Sequence, residues 1–209
     1  MGLQPNLDLF PMKKELLIGC GSNHTKKMAT DRTTGFDNLT TLDYNADHNP
    51  TVVWDLMVLP LPFPDNEFDE IHAYQVLEHL GQQGDYKLFF AQFSEFWRLL
   101  KPNGHFLATC PSRSSVWAWG DPSHTRIMQL EQLVFLSQDE YKRQVGRTPM
   151  SDYRNIYKAD FKTVFQEEDD DIRFVLIAFK YCFCSYNSSH ETTWRLKKRR
   201  WSQEDQRTR

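Results

Sequence analysis

The sequence predicts an α/β fold in which a mostly parallel sheet of seven strands carries helices on both faces and ends in an antiparallel hairpin. Through the first half of the chain, short apolar runs alternate with polar connectors, which is the pattern of strands joined by crossover segments. Residues 85–100 carry aromatic and aliphatic side chains at three- and four-residue steps, which predicts an amphipathic helix. Residues 161–181 hold two apolar runs joined by an acidic turn, which predicts the closing hairpin.

Each predicted strand is a short apolar run, as expected for strands buried in an α/β sheet. The strands span residues 16–18, 39–43, 51–55, 68–74, 105–110, 161–165 and 172–181. Shorter helical segments are predicted at residues 76–80, 130–136 and 138–145. Residues 59–67 hold three prolines and are predicted to form a loop. Residues 101–104 are predicted to end the long helix in a turn.

The composition fits one domain with a substantial core. The chain has 209 residues, of which 40% are hydrophobic and 14% aromatic, and the domain is expected to occupy residues 1–185. The net charge of −3 argues against polyanion binding through overall charge. No apolar run reaches the ~20 residues that a membrane span needs. Residues 1–10 do not follow the pattern of a secretory signal, so a cytoplasmic location is expected.

The cysteines lie in or beside apolar segments and show no CxxC spacing. They are Cys20, Cys110, Cys182 and Cys184. Buried free thiols are favoured over a disulfide or a metal site. The adjacent acids at residues 167–171 are interpreted as a solvated hairpin tip, so no metal is expected from the sequence.

A glycine motif follows the first predicted strand. The apolar run ends at Ile18 and continues into Gly19, Cys20 and Gly21, and Asp43 ends the second strand. Glycines let the backbone turn sharply and approach a ligand closely, and a carboxylate at the next strand end can accept hydrogen bonds from ribose hydroxyls. This layout favours a nucleoside-cofactor site, although an ordinary strand-ending turn would give the same short glycine pattern.

Several loops are predicted to meet at the carboxyl edge of the sheet, where ligands of parallel α/β sheets bind. They contain residues 19–23, Asp43, Asp55, residues 74–75 and residues 111–115. Their convergence supports a cofactor site more strongly than the glycine pattern alone.

With these blocks in this order, the chain resembles the class I S-adenosylmethionine-dependent methyltransferases, in particular short bacterial and phage-encoded ones. The resemblance is closest over residues 14–111. The matching blocks are LIGCG at residues 17–21, Asp43, the pair Asp55-Leu56, LPFPDNEFDEI at 61–71 with QVLEHL at 75–80, and RLLKPNG at 98–104. The Rossmann-like sheet of that family agrees with the predicted fold class.

The resemblance implies S-adenosylmethionine as the cofactor and a set of residues around it. These are Gly19, Cys20, Gly21, Asp43, Tyr44, Asp55, Leu56 and Gln75. In this family pattern the glycines pass under the methionine part of the cofactor, Asp43 binds the ribose, and Asp55 and Leu56 border the adenine. The chain departs from the family at Leu17, where an acid is usual, and at Asn23, where a third glycine is common.

The connector at residues 22–38 is polar and has little helical periodicity, so the first helix is expected to be short or absent. The N-terminal helix that often covers the cofactor in this family is not expected either.

Methyl transfer needs a general base only if the acceptor must lose a proton, and histidine suits that role. His79 follows the predicted cofactor edge, and His124 lies in the loop after the fifth strand with Asp121 placed to orient it. These three residues are the catalytic candidates. Trp117 and Trp119 are available to wall a flat acceptor. The alternatives are local helix capping and a loop held by its own tryptophans.

The expected acceptor is a small or carbohydrate-like molecule. The Asn/Asp-Pro-Pro-aromatic signature of exocyclic-amine enzymes is absent after the fourth strand, and Cys110-Pro111 reverses the Pro-Cys order of cytosine-carbon enzymes. Two alternatives stay open: a nucleic-acid-modifying enzyme anchored by the basic, flexible tail at residues 186–209, and a non-catalytic domain of this fold. No membrane partner is expected, and the oligomeric state is left open.

Overall fold

A seven-stranded sheet organises residues 12–31 and 33–180, which are the residues that the computed structural model describes. The strands are β1 (Lys14–Ile18), β2 (Asn38–Asp43), β3 (Val52–Val53), β4 (Phe68–Tyr74), β5 (Leu100–Pro111), β6 (Phe161–Glu168) and β7 (Asp171–Ala178). They lie side by side in the order β3-β2-β1-β4-β5-β7-β6. The pairs from β3 to β5 are parallel, whereas β7 is antiparallel to β5 and β6. The predicted α/β fold class, mostly parallel with a closing hairpin, is confirmed.

The helices are α1 (Tyr86–Leu99), α2 (Val116–Gly120) and α3 (Gln138–Gln144), with 3-10 turns at Ala46–His48, Leu77–His79 and Leu130–Leu136. Helix α1 begins after Asp85, whose side chain accepts the backbone N–H of Leu88 at 3.1 Å. Phe93 and Phe96 pack against Phe106 of β5, with ring centroids 5.6 and 4.9 Å apart. Burial of each such ring contributes about 1.5–3 kcal/mol, so this aromatic stripe fixes α1 on the sheet.

The register across the sheet brings the carboxyl ends of four strands to one level. Ile18 of β1 pairs with Leu42 of β2 and with Ala73 of β4. Ala73 in turn pairs with Ala108 of β5. The residues that follow these four positions therefore emerge at the same edge of the sheet, as the sequence predicted.

The two faces of the sheet are covered differently in the described part of the chain. The buried side chains of α1 and α3 belong to the main core on one face. A smaller cluster lies on the opposite face of β1 and β4 and consists of Leu17, Cys20 and Tyr74 packed against Met28, Phe36 and Leu39. The described residues of the connector at 22–38 contain no helix, as predicted. Over β1 and β4, an irregular segment thus takes the place of the expected second layer of helices.

Buried charged residues lie beside this smaller cluster. Nε2 of His72 is 3.3 Å from a carboxylate oxygen of Glu15 and 3.3 Å from one of Glu70. Lys26 Nζ lies 2.6 Å from Glu15, and Lys13 Nζ lies 2.7 Å from Glu70. The lysine charges offset the two carboxylates, which would otherwise be very costly to bury.

Two boundaries differ from the prediction. The strand predicted at residues 51–55 is reduced to β3, because it pairs only with the end of β2. Residues 101–104, predicted as a turn between helix and strand, lie within β5 as a bulge. Leu100 and His105 on either side of the bulge pair with β4, and Asn103 has a left-handed φ of 64°. The turn residues are thus accommodated without ending the strand.

Cys20 and Cys110 are buried free thiols, as predicted. Cys182, Cys184 and the predicted tail lie outside the described residues, as does the end of the predicted seventh strand. No helix in the described part of the chain is long and apolar enough to cross a membrane.

Candidate active site

The loop after β1 is tight on its protein side and open on the other. Gly19 and Gly21 both have left-handed φ angles, 55° and 53°, which glycine adopts without steric cost. A Cβ on Gly19 would lie 2.3 Å from Cγ2 of Val76, whereas a Cβ on Gly21 would meet no atom within 4 Å. A ligand can therefore approach the backbone closely at Gly21.

Asp43, at the end of β2, is fixed against this loop. One carboxylate oxygen accepts the backbone N–H of Gly21 at 2.9 Å, and the other accepts that of Asn45 at 2.9 Å. His48 Nδ1 lies 3.4 Å from the carboxylate. Burial raises the pKa of Asp43, but the hydrogen bonds from Asn45, Gly21 and His48 outweigh it, so this pKa lies below its usual value. A carboxylate that favours the ionised form, 5% exposed, is therefore held beside the glycine loop.

The other predicted cofactor residues differ in how far their side chains are exposed. The Cys20 side chain points into the small apolar cluster, and Tyr44 is 77% exposed. Asp55 is exposed, and its side chain accepts the backbone N–H of Met57 at 2.8 Å. Leu56 is buried in the main core. Of these four residues, Tyr44 and Asp55 present side chains to solvent.

Gln75 occupies the turn directly after β4. Its φ is 56°, a left-handed value that is uncommon for a residue with a side chain. Its backbone N–H donates to the carbonyl of Thr109 at 2.8 Å, and its side-chain amide donates to the Thr109 hydroxyl at 3.2 Å. These two bonds hold Gln75 at the shared edge of β4 and β5.

A second polar group forms where the 3-10 turn after Gln75 meets the loop after β5. Glu78 is 2% exposed, and neither of its carboxylate oxygens has a hydrogen-bond partner among the described residues. Nε2 of His124 lies 4.0 Å from Glu78 Oε1, and the rings of His79 and His124 pack edge to face with centroids 4.6 Å apart. Burial raises the pKa of the Glu78 carboxyl.

The loop containing His124 is tied to this turn through its backbone. The N–H groups of Thr125 and Arg126 donate to the Glu78 carbonyl at 3.0 and 3.2 Å. Nδ1 of His79 lies 3.2 Å from both the carbonyl oxygen and the hydroxyl of Ser123. The structure therefore brings the two predicted histidines together from loops that are distant in sequence.

The side chain of Asp121 binds Ser123 and makes no hydrogen bond to the His124 ring, although the backbone N–H of His124 donates to the Asp121 carbonyl at 3.2 Å. Its carboxylate accepts the backbone N–H of Ser123 at 2.8 Å and the Ser123 hydroxyl at 2.6 Å. It lies 3.8 Å from Nε2 of His124, which is too long for a hydrogen bond. Asp121 thus shapes the loop that carries both histidine contacts.

The tryptophans of α2 form an exposed aromatic surface near this edge. Trp117 and Trp119 are 69% and 74% exposed, and the Trp119 indole N–H donates to the carbonyl of Arg113 at 3.2 Å. Both rings are therefore available to contact a ligand.

Glu78 lies in the block at residues 75–80, but the sequence did not predict its proximity to two histidines. The available signal was the adjacency of Glu78 and His79 directly after a buried strand. The contact between Val76 and the turn at Gly19 could not be predicted from the sequence, because valine is an ordinary core residue.

Comparison with known proteins agrees with the fold. A protein family described as "Methyltransferase domain" matches residues 16–108. A curated protein of Mycolicibacterium smegmatis, named as an S-adenosylmethionine-dependent methyltransferase, is 31% identical over 131 residues, which cover 58% of this chain and 48% of that protein. The chain thus spans about half the length of this curated relative.

Solved structures share the fold at low sequence identity. A chain in the Haloferax volcanii complex of the Trm112 methyltransferase activator and a methyltransferase aligns with a TM-score of 0.53 and 14% identity, over 81% of this chain and 85% of that one. The N-methyltransferase NodS of Bradyrhizobium japonicum, solved with S-adenosyl-L-homocysteine, aligns with a TM-score of 0.50 and 13% identity, over 81% of this chain and 79% of that one.

The glycine loop, the acid at the second strand end and the sheet order are similar to those of class I S-adenosylmethionine-dependent methyltransferases, and residues 16–108 match the methyltransferase-domain family. The family match covers the region from β1 to the middle of β5, which holds every predicted cofactor residue.

Proposed function

We propose that this chain transfers a methyl group from S-adenosylmethionine to a small or carbohydrate-like acceptor. The observation that carries the proposal is the pairing of two features on one edge of the sheet. Asp43 is ionised and fixed beside the open face of Gly21. In the cluster of Glu78, His79 and His124, the first two residues follow β4 and His124 lies in the loop after β5. The first feature suits the cofactor, and the second suits a polar acceptor.

The residues around the glycine loop fit the parts of the cofactor. Gly21 lets the methionine portion approach the backbone, and the Asp43 carboxylate retains lone pairs for the two ribose hydroxyls. Tyr44 and Asp55 are exposed on the side where the adenine would extend. When bound, S-adenosylmethionine supplies an activated methyl group, and the protein has to align it with the acceptor and exclude water.

The cluster of Glu78, His79 and His124 contains the groups that would take a proton from the acceptor. As the acceptor oxygen or nitrogen bonds to the methyl carbon, the carbon–sulfur bond breaks and its electron pair stays on sulfur. The acceptor proton passes to an imidazole nitrogen of His79 or His124. The exposed rings of Trp117 and Trp119 offer flat apolar surfaces to a sugar or an aromatic ring. The nucleic-acid alternative depends on the tail, which lies outside the described residues.

Calorimetric titration with S-adenosylmethionine and S-adenosylhomocysteine tests the cofactor half of the proposal. We expect micromolar binding, weakened by ~10-fold or more, about 1.4 kcal/mol, in Asp43→Ala. Asp47→Ala is the matched control, because this acid is exposed in the adjoining 3-10 turn. No binding at millimolar cofactor would overturn the proposal.

The acceptor half is tested by measuring S-adenosylhomocysteine release with a panel of sugars, phenols, amines and oligonucleotides. Turnover with a sugar or a phenol that His124→Gln slows by ~10-fold or more is expected, in the range typical of a lost general base or positioning group. Turnover confined to oligonucleotides would overturn the assignment of a small acceptor.

A further inference from the structure

The cluster of Glu78, His79 and His124 has the composition and spacing of a metal site. Each residue offers one ligand atom, and these atoms all lie within 4.8 Å of one another. Zn–N and Zn–O distances of about 2.0–2.2 Å place adjacent ligands of a tetrahedral ion about 3.4 Å apart, so the 4.0 Å between Glu78 Oε1 and His124 Nε2 is slightly wider than a metal-bound pair. We propose that these three residues bind a divalent transition-metal ion that holds a hydroxyl oxygen of the methyl acceptor.

Unpartnered buried atoms supply the independent observation. Glu78 is 2% exposed, yet both of its carboxylate oxygens lack a hydrogen-bond partner among the described residues, and so does the buried Nδ1 of His124. Besides the two histidines, the polar groups that act on the Glu78 carboxyl are its own backbone N–H and the Cys110 thiol, which is only a weak donor. A buried carboxylate without a partner is costly, and a bound cation would satisfy it.

The hydrogen bond made by His79 leaves its other ring nitrogen available to bind a metal. Nδ1 of His79 lies 3.2 Å from the carbonyl oxygen of Ser123, to which a protonated Nδ1 donates. That tautomer leaves the lone pair on Nε2 available for a metal. An outer hydrogen bond of this kind is characteristic of metal-binding histidines. Asp121 holds Ser123 in place and brings a further carboxylate to 3.8 Å from His124.

A second acidic cluster in the same domain differs from the proposed metal site in how its charge is balanced. Glu15, Glu70 and His72 also lie close enough to hold an ion. There, however, Lys26 and Lys13 contact the carboxylates directly, so the charge is already compensated within the protein. No lysine or arginine forms an ion pair with Glu78 in the described part of the chain.

The ligand set indicates the kind of ion and its role. Two imidazoles and one carboxylate suit Zn²⁺, Mn²⁺, Fe²⁺ or Co²⁺ and leave coordination positions open. An acceptor hydroxyl in such a position loses its proton to water more readily, and its oxygen then takes the methyl group while the electron pair of the broken carbon–sulfur bond stays on sulfur. This role rests on the proposed function and narrows the acceptor to a hydroxyl compound, with the ion replacing histidine in favouring deprotonation.

Cobalt titration of chelator-treated full-length protein tests the site, followed by calorimetry and by the visible absorption of bound Co²⁺. We expect one ion per chain with micromolar affinity. Affinity should fall by ~10-fold or more in Glu78→Gln and in His124→Gln, which change the proposed ligands. His105→Gln is the matched control, because His105 lies toward the other end of β5 and should leave the affinity unchanged.

The outcomes separate this proposal from the methyltransferase assignment. Absence of Co²⁺ binding at millimolar concentration, or equal affinity in all four proteins, would overturn the metal site. Circular dichroism identifies any variant that fails to fold, and the remaining variant then decides the question. Cofactor binding is measured in metal-free protein. If Co²⁺ binds as expected while the cofactor does not, the proposed function fails and the metal site stands.

Discussion

Gly19 and Gly21 share a left-handed backbone conformation but differ in their surroundings. The nearest obstacle to a side chain at Gly19 is Val76, a residue of the turn after β4, whereas the space around Gly21 is open. The sequence motif treats the two glycines alike. The structure assigns the first to packing between two strand ends and the second to close approach of a ligand.

We expect Gly19→Ala to destabilise the protein more than Gly21→Ala. Both substitutions force alanine into a left-handed conformation, which costs about 1 kcal/mol. Only the first also places a methyl group against Val76, and overpacking of this kind adds about 1–3 kcal/mol. Urea unfolding monitored by circular dichroism gives both free energies of unfolding. Equal losses in the two variants would contradict the packing role of Gly19.

Contacts between the proline-rich loop and helix α1 connect two of the sequence blocks, LPFPDNEFDEI at residues 61–71 and RLLKPNG at residues 98–104. Arg98 of α1 donates to the carbonyls of Leu61 and Phe63 at 3.2 and 2.9 Å, and pairs with Asp65 at 2.6 Å. Glu95 accepts the backbone N–H of Leu61 at 2.6 Å. One turn of the helix therefore binds the loop that leads into β4 and sets the position of that strand.

Arg98→Ala is expected to lower the free energy of unfolding by about 2–4 kcal/mol, because it removes charge-assisted hydrogen bonds to the carbonyls of Leu61 and Phe63 and to the buried carboxylate of Glu95. Arg143→Ala on α3 is the matched control. Its ion pair with Glu140 is exposed, and such pairs contribute at most about 1 kcal/mol. Chemical denaturation measures both variants, and similar losses would show that Arg98 does not anchor the loop.

For the whole molecule, the buried cluster on the second face of the sheet couples folding to pH. Burial alone raises the pKa of Glu70, but hydrogen bonds from His72, Lys13 and Thr30 bring it below its ordinary value of 4.5. Burial also opposes ionisation of Glu15, and hydrogen bonds from His72 and Lys26 again lower its pKa. Their contribution to stability is therefore present above pH 4.5 and is lost as the pH falls below that value.

We expect the free energy of unfolding of the wild-type protein to fall between pH 5 and pH 3, with a smaller slope in Glu70→Gln. The variant has no carboxylate to protonate at that position. Glu131→Gln, at an exposed residue, is the control and should keep the wild-type slope. Urea denaturation at each pH provides the measurement, and parallel curves for all three proteins would refute this linkage.

The order of elements follows from local signals in the chain. The stripe of phenylalanines predicts α1, and the segment at residues 68–74, centred on Ile71 and Ala73, predicts β4 with its observed bounds. The ends of the strands were less predictable. The length of β3, for example, depends on how many residues of β2 pair with it. The bulge at residues 101–104 depends on the partner strand in the same way.

The sequence by itself determined the α/β class, the strand order in the chain, the glycine turn and the acid at the end of β2. These follow from apolar periodicity and from backbone freedom at glycine, both of which are local properties. Three features were decided only by the tertiary structure. A loop covers one face of β1 and β4, and lysines offset the charges of Glu15 and Glu70. Glu78 lies beside two histidines, and no lysine or arginine among the described residues pairs with it. Those outcomes depend on contacts between residues far apart in the chain, which only the packed sheet brings together.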